Sequence, residues 1–260
     1  MKTCLNLVYG QTRTLSYCLP YLKAAFGLLP DINLKWHFVV KDYDNEINSK
    51  IDSSIYLSKT PNLPEGSTSF VVTQDVEQRL DYNHYKAYHY SKLISTLYNC
   101  LTKIIELEKT CKIDTVFLTR CDSLVGDSIS SLLDTELDNI QETWRDPFCI
   151  YANYGVFRLH KEFENLGMGD FFYYGSSTSI KLLILSLLKV IERKKLDYFP
   201  YYNNIGPNVL LYRASVENNI CIRPTAVDVA IVRKTSDLNL DVYTSFNQHQ
   251  KHFIETHSGL

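Results

Sequence analysis

Residues 114–122 read DTVFLTRCD, a short apolar run that ends in a charged pair. Residues 116–118 favour a buried β-strand, and Arg120 and Asp122 follow at its end. In open α/β sheets, ligands bind at the carboxyl ends of the strands, so this pair is expected at a ligand-binding edge. An aspartate there can bind a divalent cation through oxygen. A helix-capping aspartate beside a surface arginine would give the same pattern.

The composition indicates a globular protein. The 260 residues are 45% hydrophobic and 22% charged, which fits one large domain or one domain with a small appendage. A net charge of −2 and a pI near 6.4 argue against general nucleic-acid binding, because that function needs a basic face. The seven cysteines are odd in number and form no C-x-x-C pair, so reduced thiols are expected rather than disulfides or a zinc site.

No targeting segment is evident at the start of the sequence. The apolar run within residues 1–10 is short, and Asn6 interrupts it. The most apolar window, residues 180–191, contains two lysines and is too short to span a bilayer. The sequence therefore predicts a cytoplasmic protein without a transmembrane segment.

Apolar segments typical of strands alternate with helical patterns along the chain. Strands are predicted at residues 4–9, 34–40, 55–57, 70–73, 114–118, 148–151, 156–159, 220–222 and 227–232. Helices are predicted at residues 15–26, 82–109, 127–133, 178–194 and 206–218, and a polar surface excursion at 138–146. Because a long helix leads into the strand at 114–118, a crossover connection and a mostly parallel sheet flanked by helices are expected. One α/β domain is predicted over residues 1–235, followed by a tail at 236–260 that packs on it or extends from it.

A candidate phosphate site follows the first predicted strand. Gly10 begins a tight loop that leads into a helix, and a strand, a glycine turn and a helix N-terminus can together hold a phosphate. The guanidinium of Arg13, at the same corner, can bind a phosphate or a base. A single glycine also fits an ordinary turn between a strand and a helix.

A second acidic motif, DYD at residues 42–44, follows another predicted strand and competes with Asp122 for any metal. Its composition is also typical of a turn. We expect Asp122 to be the principal metal ligand because it follows a crossover helix and so lies near the middle of the sheet. Asp42 and Asp44 are then expected to face a base or a ribose.

Residues 169–177 read GDFFYYGSS and join an acid to an aromatic strand and a small-residue turn. Side chains alternate along a strand, so two of the four rings can pack inward while two line a cleft. Sugar rings stack on such aromatic side chains, which would place Asp170 beside an acceptor hydroxyl as a general base. Asp170 could equally be a turn residue after Gly169.

The order of these motifs resembles the GT-A-fold glycosyltransferase-like proteins of bacterial polysaccharide loci and large DNA viruses. The motifs are YGQTR at 9–13, YSK at 90–92, VFLTRCD at 116–122 and GDFFYYGSS at 169–177. In that family the metal motif is often R-x-D rather than D-x-D, and a D-x-x-x-x-G-S segment follows. The resemblance covers residues 1–234 and implies a GT-A-type, Rossmann-like fold.

The resemblance implies a nucleotide-sugar donor, a glycan or other hydroxyl acceptor, and a divalent metal, Mn²⁺ or Mg²⁺. Asp122 would bind the metal that bridges the donor diphosphate, and His257 is a candidate late ligand. Many GT-A enzymes carry an acid at the position of Arg120, which can instead hold the diphosphate or orient Asp122. The expected substrate-binding residues are Tyr9, Gly10, Arg13, Asp42, Lys92 and Arg120.

Two other functions fit the same residues. The first is a non-catalytic protein that keeps the fold and binds a nucleotide-sugar or a glycan. The second is a nucleotidyltransferase, which uses a similar sheet and metal but normally needs a glycine-rich basic loop, whereas residues 9–13 contain one glycine. A serine hydrolase is not supported, because the sequence has no G-x-S-x-G motif.

Overall fold

The computed structural model describes residues 1–11, 14–27, 32–41, 43–44, 49–50, 63–72, 87–125, 136–160, 163–192, 207–225, 227, 229–234 and 240–244. The strands are β1 (Lys2–Gln11), β2 (Ile32–Lys41), β3 (Tyr43–Asp44), β4 (Ser49–Lys50), β5 (Thr68–Val72), β6 (Thr115–Arg120), β7 (Ser123–Val125), β8 (Cys149–His160), β9 (Phe163–Ser176), β10 (Cys221–Pro224), β11 (Val229–Lys234) and β12 (Leu240–Thr244). The helices are α1 (Leu15–Gly27), α2 (Ala87–Glu108), α3 (Leu137–Thr143), α4 (Ser177–Glu192) and α5 (Pro207–Glu217).

A seven-stranded sheet in the order β10-β8-β9-β6-β1-β2-β5 forms the centre of the fold. The pairs β10–β8, β6–β1, β1–β2 and β2–β5 are parallel. Strand β9 runs antiparallel to both of its neighbours, β6 and β8. This arrangement confirms the predicted α/β class with a mostly parallel central sheet flanked by helices, as expected for a GT-A-type fold.

The two central strands, β1 and β6, are buried on both faces. Leu5 and Leu118 belong to a core that includes side chains of α2, α4 and α5. Val8 and Phe117 belong to a second core that includes side chains of α1. Full burial of one such side chain stabilises the fold by about 1.5–3 kcal/mol, so this double coverage fixes β1 and β6 firmly. Their near-continuous apolar runs follow from it.

Three predictions about local structure were wrong. The four rings of residues 171–174 do not divide between the core and a cleft, because all four are buried. The two strands expected around residues 152–155 are one continuous strand, β8, with an irregular register between Ala152 and Tyr154. Asn and Gly within a strand favour a bulge as well as a turn, and here the pairing with β9 continues past the bulge. The expected excursion at residues 138–146 contains helix α3, because Ile140 and Thr143 are buried one helical turn apart.

A smaller antiparallel sheet, β12-β11-β7, lies beside the carboxyl end of β6. Strand β7 follows Asp122 directly, and β12 comes from the region predicted as a tail. The Val232 amide of β11 donates a 2.8 Å hydrogen bond to the Asp122 carbonyl. The small sheet thereby fixes the backbone immediately after β6.

The strand expected at residues 55–57 and the helix expected at 127–133 lie outside the described residues. Within the part of the chain that the structure describes, no helix combines the length and the apolar character that a bilayer span requires.

Candidate functional site

Three charged residues meet at the carboxyl end of β6. Arg120 is the last residue of β6, and Asp122 lies two positions later, before β7. Asp170 comes from β9, and the antiparallel pairing of Thr119 with Phe172 carries it to the same end of the sheet. The structure therefore brings together residues that lie about fifty positions apart in sequence.

Arg120 binds both acids. Its Nε donates to Asp122 Oδ1 at 2.9 Å, and its Nη2 donates to Asp122 Oδ2 at 2.6 Å. Its Nη1 donates to Asp170 Oδ2 at 3.1 Å. The contact with Asp122 is a bidentate pair, the geometry in which arginine and carboxylate bind most strongly. One guanidinium thus holds three of the four carboxylate oxygens of Asp122 and Asp170.

Aromatic residues complete the surroundings of this cluster. The Phe171 ring lies 5.2 Å from the Arg120 guanidinium carbon, within the range of a cation–π contact. Tyr9 pairs with Arg120 in the β1–β6 register, and its hydroxyl donates a hydrogen bond to the Asp170 carbonyl oxygen. Tyr9 is 2% exposed, so its side chain contacts Asp170 from within the core.

Burial and the neighbouring opposite charges shift the pKa values of Asp170 and Arg120 in opposite directions. Burial raises the pKa of Asp170, Arg120 opposes that rise, and the charge of Asp122 adds to it, so the pKa lies above its ordinary value. Burial would lower the pKa of Arg120, but the two carboxylates outweigh it and raise the pKa further. Arg120 therefore stays charged, while Asp170 is a stronger base than a solvated aspartate.

The described residues do not fit a divalent-cation site by themselves. Mg²⁺ at a phosphate site is typically bound by one or two carboxylates together with substrate phosphates, but Arg120 already binds both carboxylate oxygens of Asp122. Between Asp122 and Asp170 lies a guanidinium, whose positive charge would repel a divalent ion placed there. Asp122 as the principal metal ligand stays a prediction.

The other predicted site residues are described in part or not at all. Gly10 lies within the last residues of β1 with a φ of +113°, a conformation that favours glycine, and residues 12 and 13 of the loop predicted after it lie outside the described residues. Lys92 lies in α2, where the structure describes the backbone but not this side chain. Arg13, Asp42 and His257 lie outside the described residues. The grouping of Tyr9, Arg120, Asp122 and Asp170 is the part of the predicted set that the structure assembles.

Sequence reasoning missed two features of the site. The first is the Arg120–Asp170 ion pair, which depends on the antiparallel direction of β9 and has no local signal. The second is the connection from Asp122 through Val232 to Thr14, whose hydroxyl donates to the Val232 carbonyl at 3.3 Å. That connection depends on the small sheet, which no sequence pattern indicated.

The opposite end of the sheet holds a cleft of about 600 Å³. It is lined by Met1, Lys2, Thr3, Lys112, Asp114, Leu137, Gln141 and Trp144. The acid of this cleft, Asp114, is already bound by Lys2, Lys112 and the Thr3 amide. Ligands of α/β sheets bind at the carboxyl ends of the strands, so the Arg120 cluster is the better candidate despite the size of this cleft.

Comparisons with known proteins give a fold-level similarity. No protein-family model matches the chain, and no curated protein sequence matches it. Among solved structures, the galactosyltransferase LgtC in complex with donor and acceptor sugar analogues is similar, with a TM-score of 0.46 and 12% sequence identity. The alignment covers 85% of this chain and 72% of that one. At this level of similarity, the function has to be argued from the residues of the site itself.

Proposed function

We propose that this protein is a glycosyltransferase that moves a sugar from a nucleoside diphosphate sugar to a hydroxyl of a glycan or another acceptor. The observation that carries the proposal is the buried Asp122–Arg120–Asp170 cluster at the carboxyl end of the central parallel strands. It combines a fixed cation with a carboxylate whose pKa is raised by burial, at the edge where such sheets bind ligands.

The transfer reaction needs both of these groups. The bond between the anomeric carbon and the diphosphate oxygen breaks, and its electron pair stays on the leaving diphosphate. A new bond forms from the acceptor oxygen to the anomeric carbon, and the acceptor loses its proton. A cation near the diphosphate stabilises the charge that develops there, and a carboxylate near the acceptor can take the proton. Arg120 and Asp170 supply these groups side by side.

Asp170 can act as a base in this scheme because Arg120 binds only one of its two carboxylate oxygens. The second carboxylate oxygen can accept a proton from an acceptor hydroxyl or orient the acceptor and the donor sugar. The hydrogen bond from Tyr9 holds the backbone of Asp170 in place. We assign Tyr9 as a positioning residue and Asp170 as the proposed base.

The resemblance also predicts assistance by Mn²⁺ or Mg²⁺ with Asp122 as the principal protein ligand. No step of this scheme depends on that ion, because Arg120 already binds both carboxylate oxygens of Asp122. The test compares Asp122→Ala with Asp44→Ala for Mn²⁺-dependent donor binding. Loss in Asp122→Ala alone would support the metal prediction, and loss in Asp44→Ala alone would assign the metal to the DYD motif at residues 42–44.

The function is tested by screening nucleotide-sugars. Thermal-shift measurements with and without Mn²⁺ identify donors that stabilise the protein, and each such donor is then assayed for hydrolysis and for transfer to a panel of acceptors. The proposal predicts stabilisation by at least one nucleotide-sugar and release of its nucleoside diphosphate. Absence of binding to every nucleotide-sugar would contradict it.

A binding-only protein is the second candidate, and one observation favours it. Arg120 holds three of the four oxygens of Asp122 and Asp170, which leaves little carboxylate free for chemistry. The two candidates differ in turnover. A nucleotide-sugar that binds but is neither hydrolysed nor transferred would support the binding-only protein, and measurable release of the diphosphate would exclude it.

A further inference from the structure

We propose that Arg120 is the resident cation that holds the diphosphate of the donor, so that donor binding and transfer proceed without a divalent metal ion. The inference rests on the proposed function and departs from the metal that the resemblance implies. It stands on the geometry of the Arg120 cluster, its exposure and its connection to the N-terminus of α1.

Arg120 has N–H donors that Asp122 and Asp170 do not use. A guanidinium has five N–H donors, and the contacts with Asp122 and Asp170 use three of them. Among the described residues, none accepts a hydrogen bond from the remaining two. One of the two lies on Nη1 and the other on Nη2, and each can donate a charge-assisted hydrogen bond to a phosphate oxygen.

Arg120 has the most exposed side chain of the cluster. The Arg120 side chain is 22% exposed, whereas the side chains of Asp122 and Asp170 are 12% and 7% exposed. An anion that approaches the carboxyl end of β6 therefore reaches the guanidinium more readily than the carboxylates. The contacts with Asp122 and Asp170 hold the plane of the guanidinium in one orientation, so binding needs little reorganisation of Arg120.

The N-terminus of α1 is a second source of positive potential, and it is connected to the Arg120 cluster. Helix α1 follows β1 in the chain and begins at Leu15, and its first turn contains no acidic residue. Thr14, at the start of α1, donates to the Val232 carbonyl, and the Val232 amide donates to the Asp122 carbonyl. One residue thus connects the N-terminus of α1 to the cluster. Unpaired amides at a helix N-terminus favour a bound phosphate.

A divalent ion at the Arg120 cluster would only repeat the role of Arg120, which is to neutralise the diphosphate charge, and the cluster is poorly suited to bind it. The ion would need the carboxylate oxygens that Arg120 already binds, and it would lie beside the guanidinium charge. During transfer, the leaving diphosphate keeps the electron pair of the broken bond, and Arg120 stabilises the added charge. The acceptor proton goes to Asp170 or to water, so the reaction balances without any further reactant.

The inference is tested with the wild-type chain and one charge-conserving variant. Binding of UDP, GDP and inorganic pyrophosphate is measured by isothermal titration calorimetry, once with EDTA and once with Mn²⁺, and donor hydrolysis is followed under both conditions. We expect dissociation constants with EDTA and with Mn²⁺ to agree within about threefold. Binding or hydrolysis that requires Mn²⁺ would overturn the inference.

The variant Arg120→Lys keeps the charge and removes the planar fork. We expect it to bind the diphosphates about tenfold more weakly or worse, while it still unfolds cooperatively because the charge that balances Asp122 and Asp170 remains. Arg223→Lys is the matched control, because Arg223 also binds carboxylates, those of Glu142 and Asp146, but away from this site. Equal diphosphate affinity in Arg120→Lys and wild type would contradict the inference.

The outcomes separate this inference from the proposed function. Binding and turnover that both require Mn²⁺ would leave the glycosyltransferase proposal standing and refute the role of Arg120. Failure of every diphosphate and every nucleotide-sugar to bind, with or without Mn²⁺, would refute both.

Discussion

Strand β6 has an aspartate bound by basic side chains at each end, and the two ends are built differently. At the amino end, Asp114 accepts hydrogen bonds from Lys2 at 3.1 Å and from the Thr3 amide at 3.0 Å. Lys112 adds an ion pair at 3.3 Å, and the Lys2 and Lys112 side chains are 41% and 81% exposed. At the carboxyl end, one partly buried arginine holds two buried acids.

The pKa values of Asp114 at one end and Asp170 at the other are shifted in opposite directions. Burial alone would raise the pKa of Asp114, but the Thr3 amide and two lysine ammonium groups outweigh it, so the pKa is lowered. Burial raises the pKa of Asp170, and Arg120 compensates for only part of that rise. Asp114, whose charge is stabilised by several donors, has a structural role. Asp170, whose charge is only partly stabilised in a buried place, is a candidate for catalysis.

The largest expected effect is on stability at the carboxyl end. Arg120→Met leaves two buried carboxylates facing each other without a counter-charge, which should lower the free energy of unfolding by about 3–5 kcal/mol. Lys112→Met removes an exposed partner of Asp114 and should cost less than about 1 kcal/mol. Urea unfolding of both variants measures the difference. Equal losses would show that Arg120 is no more than a surface ion-pair partner.

A smaller effect is expected from the tyrosine that supports Asp170. Tyr9→Phe removes the hydrogen bond to the Asp170 carbonyl and should lower kcat by about three- to tenfold with little change in KM for the donor. Tyr98→Phe is the matched control, because Tyr98 is 44% exposed on α2. A change in donor KM without a change in kcat would instead place Tyr9 at the nucleotide.

The smallest effect concerns pH and the amino end of β6. Because the pKa of Asp114 is lowered in the folded state, its contribution to stability is complete above the ordinary aspartate pKa, about 4. That contribution is lost as the pH falls through the folded-state pKa. Unfolding free energies of wild type and Asp114→Asn should therefore differ at neutral pH and converge in acid. A difference that stays constant with pH would show that Asp114 acts through its shape alone.

The sequence predicted the parts of the fold that depend on local patterns. The apolar run in residues 116–118 and the long helix before it lie where expected. The continuous β8 was missed because a bulge and a turn share the same residue types. Helix α3 was missed because Ile140 is the one buried apolar side chain in a polar segment of seven residues.

The site was predictable in its residues but not in its contacts. Asp122 and Asp170 both stood out, since each follows or adjoins an apolar strand. Their shared contact with Arg120 depends on the strand order β9-β6-β1, which is set by packing over the whole sheet. A sequence without aligned relatives carries no information about such a long-range pairing.

The most direct test of the proposed function makes the same substitution at two aspartates that lie at opposite ends of the sheet. Asp170→Asn keeps the shape of the side chain and removes its basic oxygen, and Asp114→Asn makes the same change at the other end of the sheet. Transfer per folded molecule should fall by about a hundredfold or more in Asp170→Asn, with donor affinity nearly unchanged. It should stay at the wild-type level in Asp114→Asn. Wild-type transfer by Asp170→Asn would contradict the account.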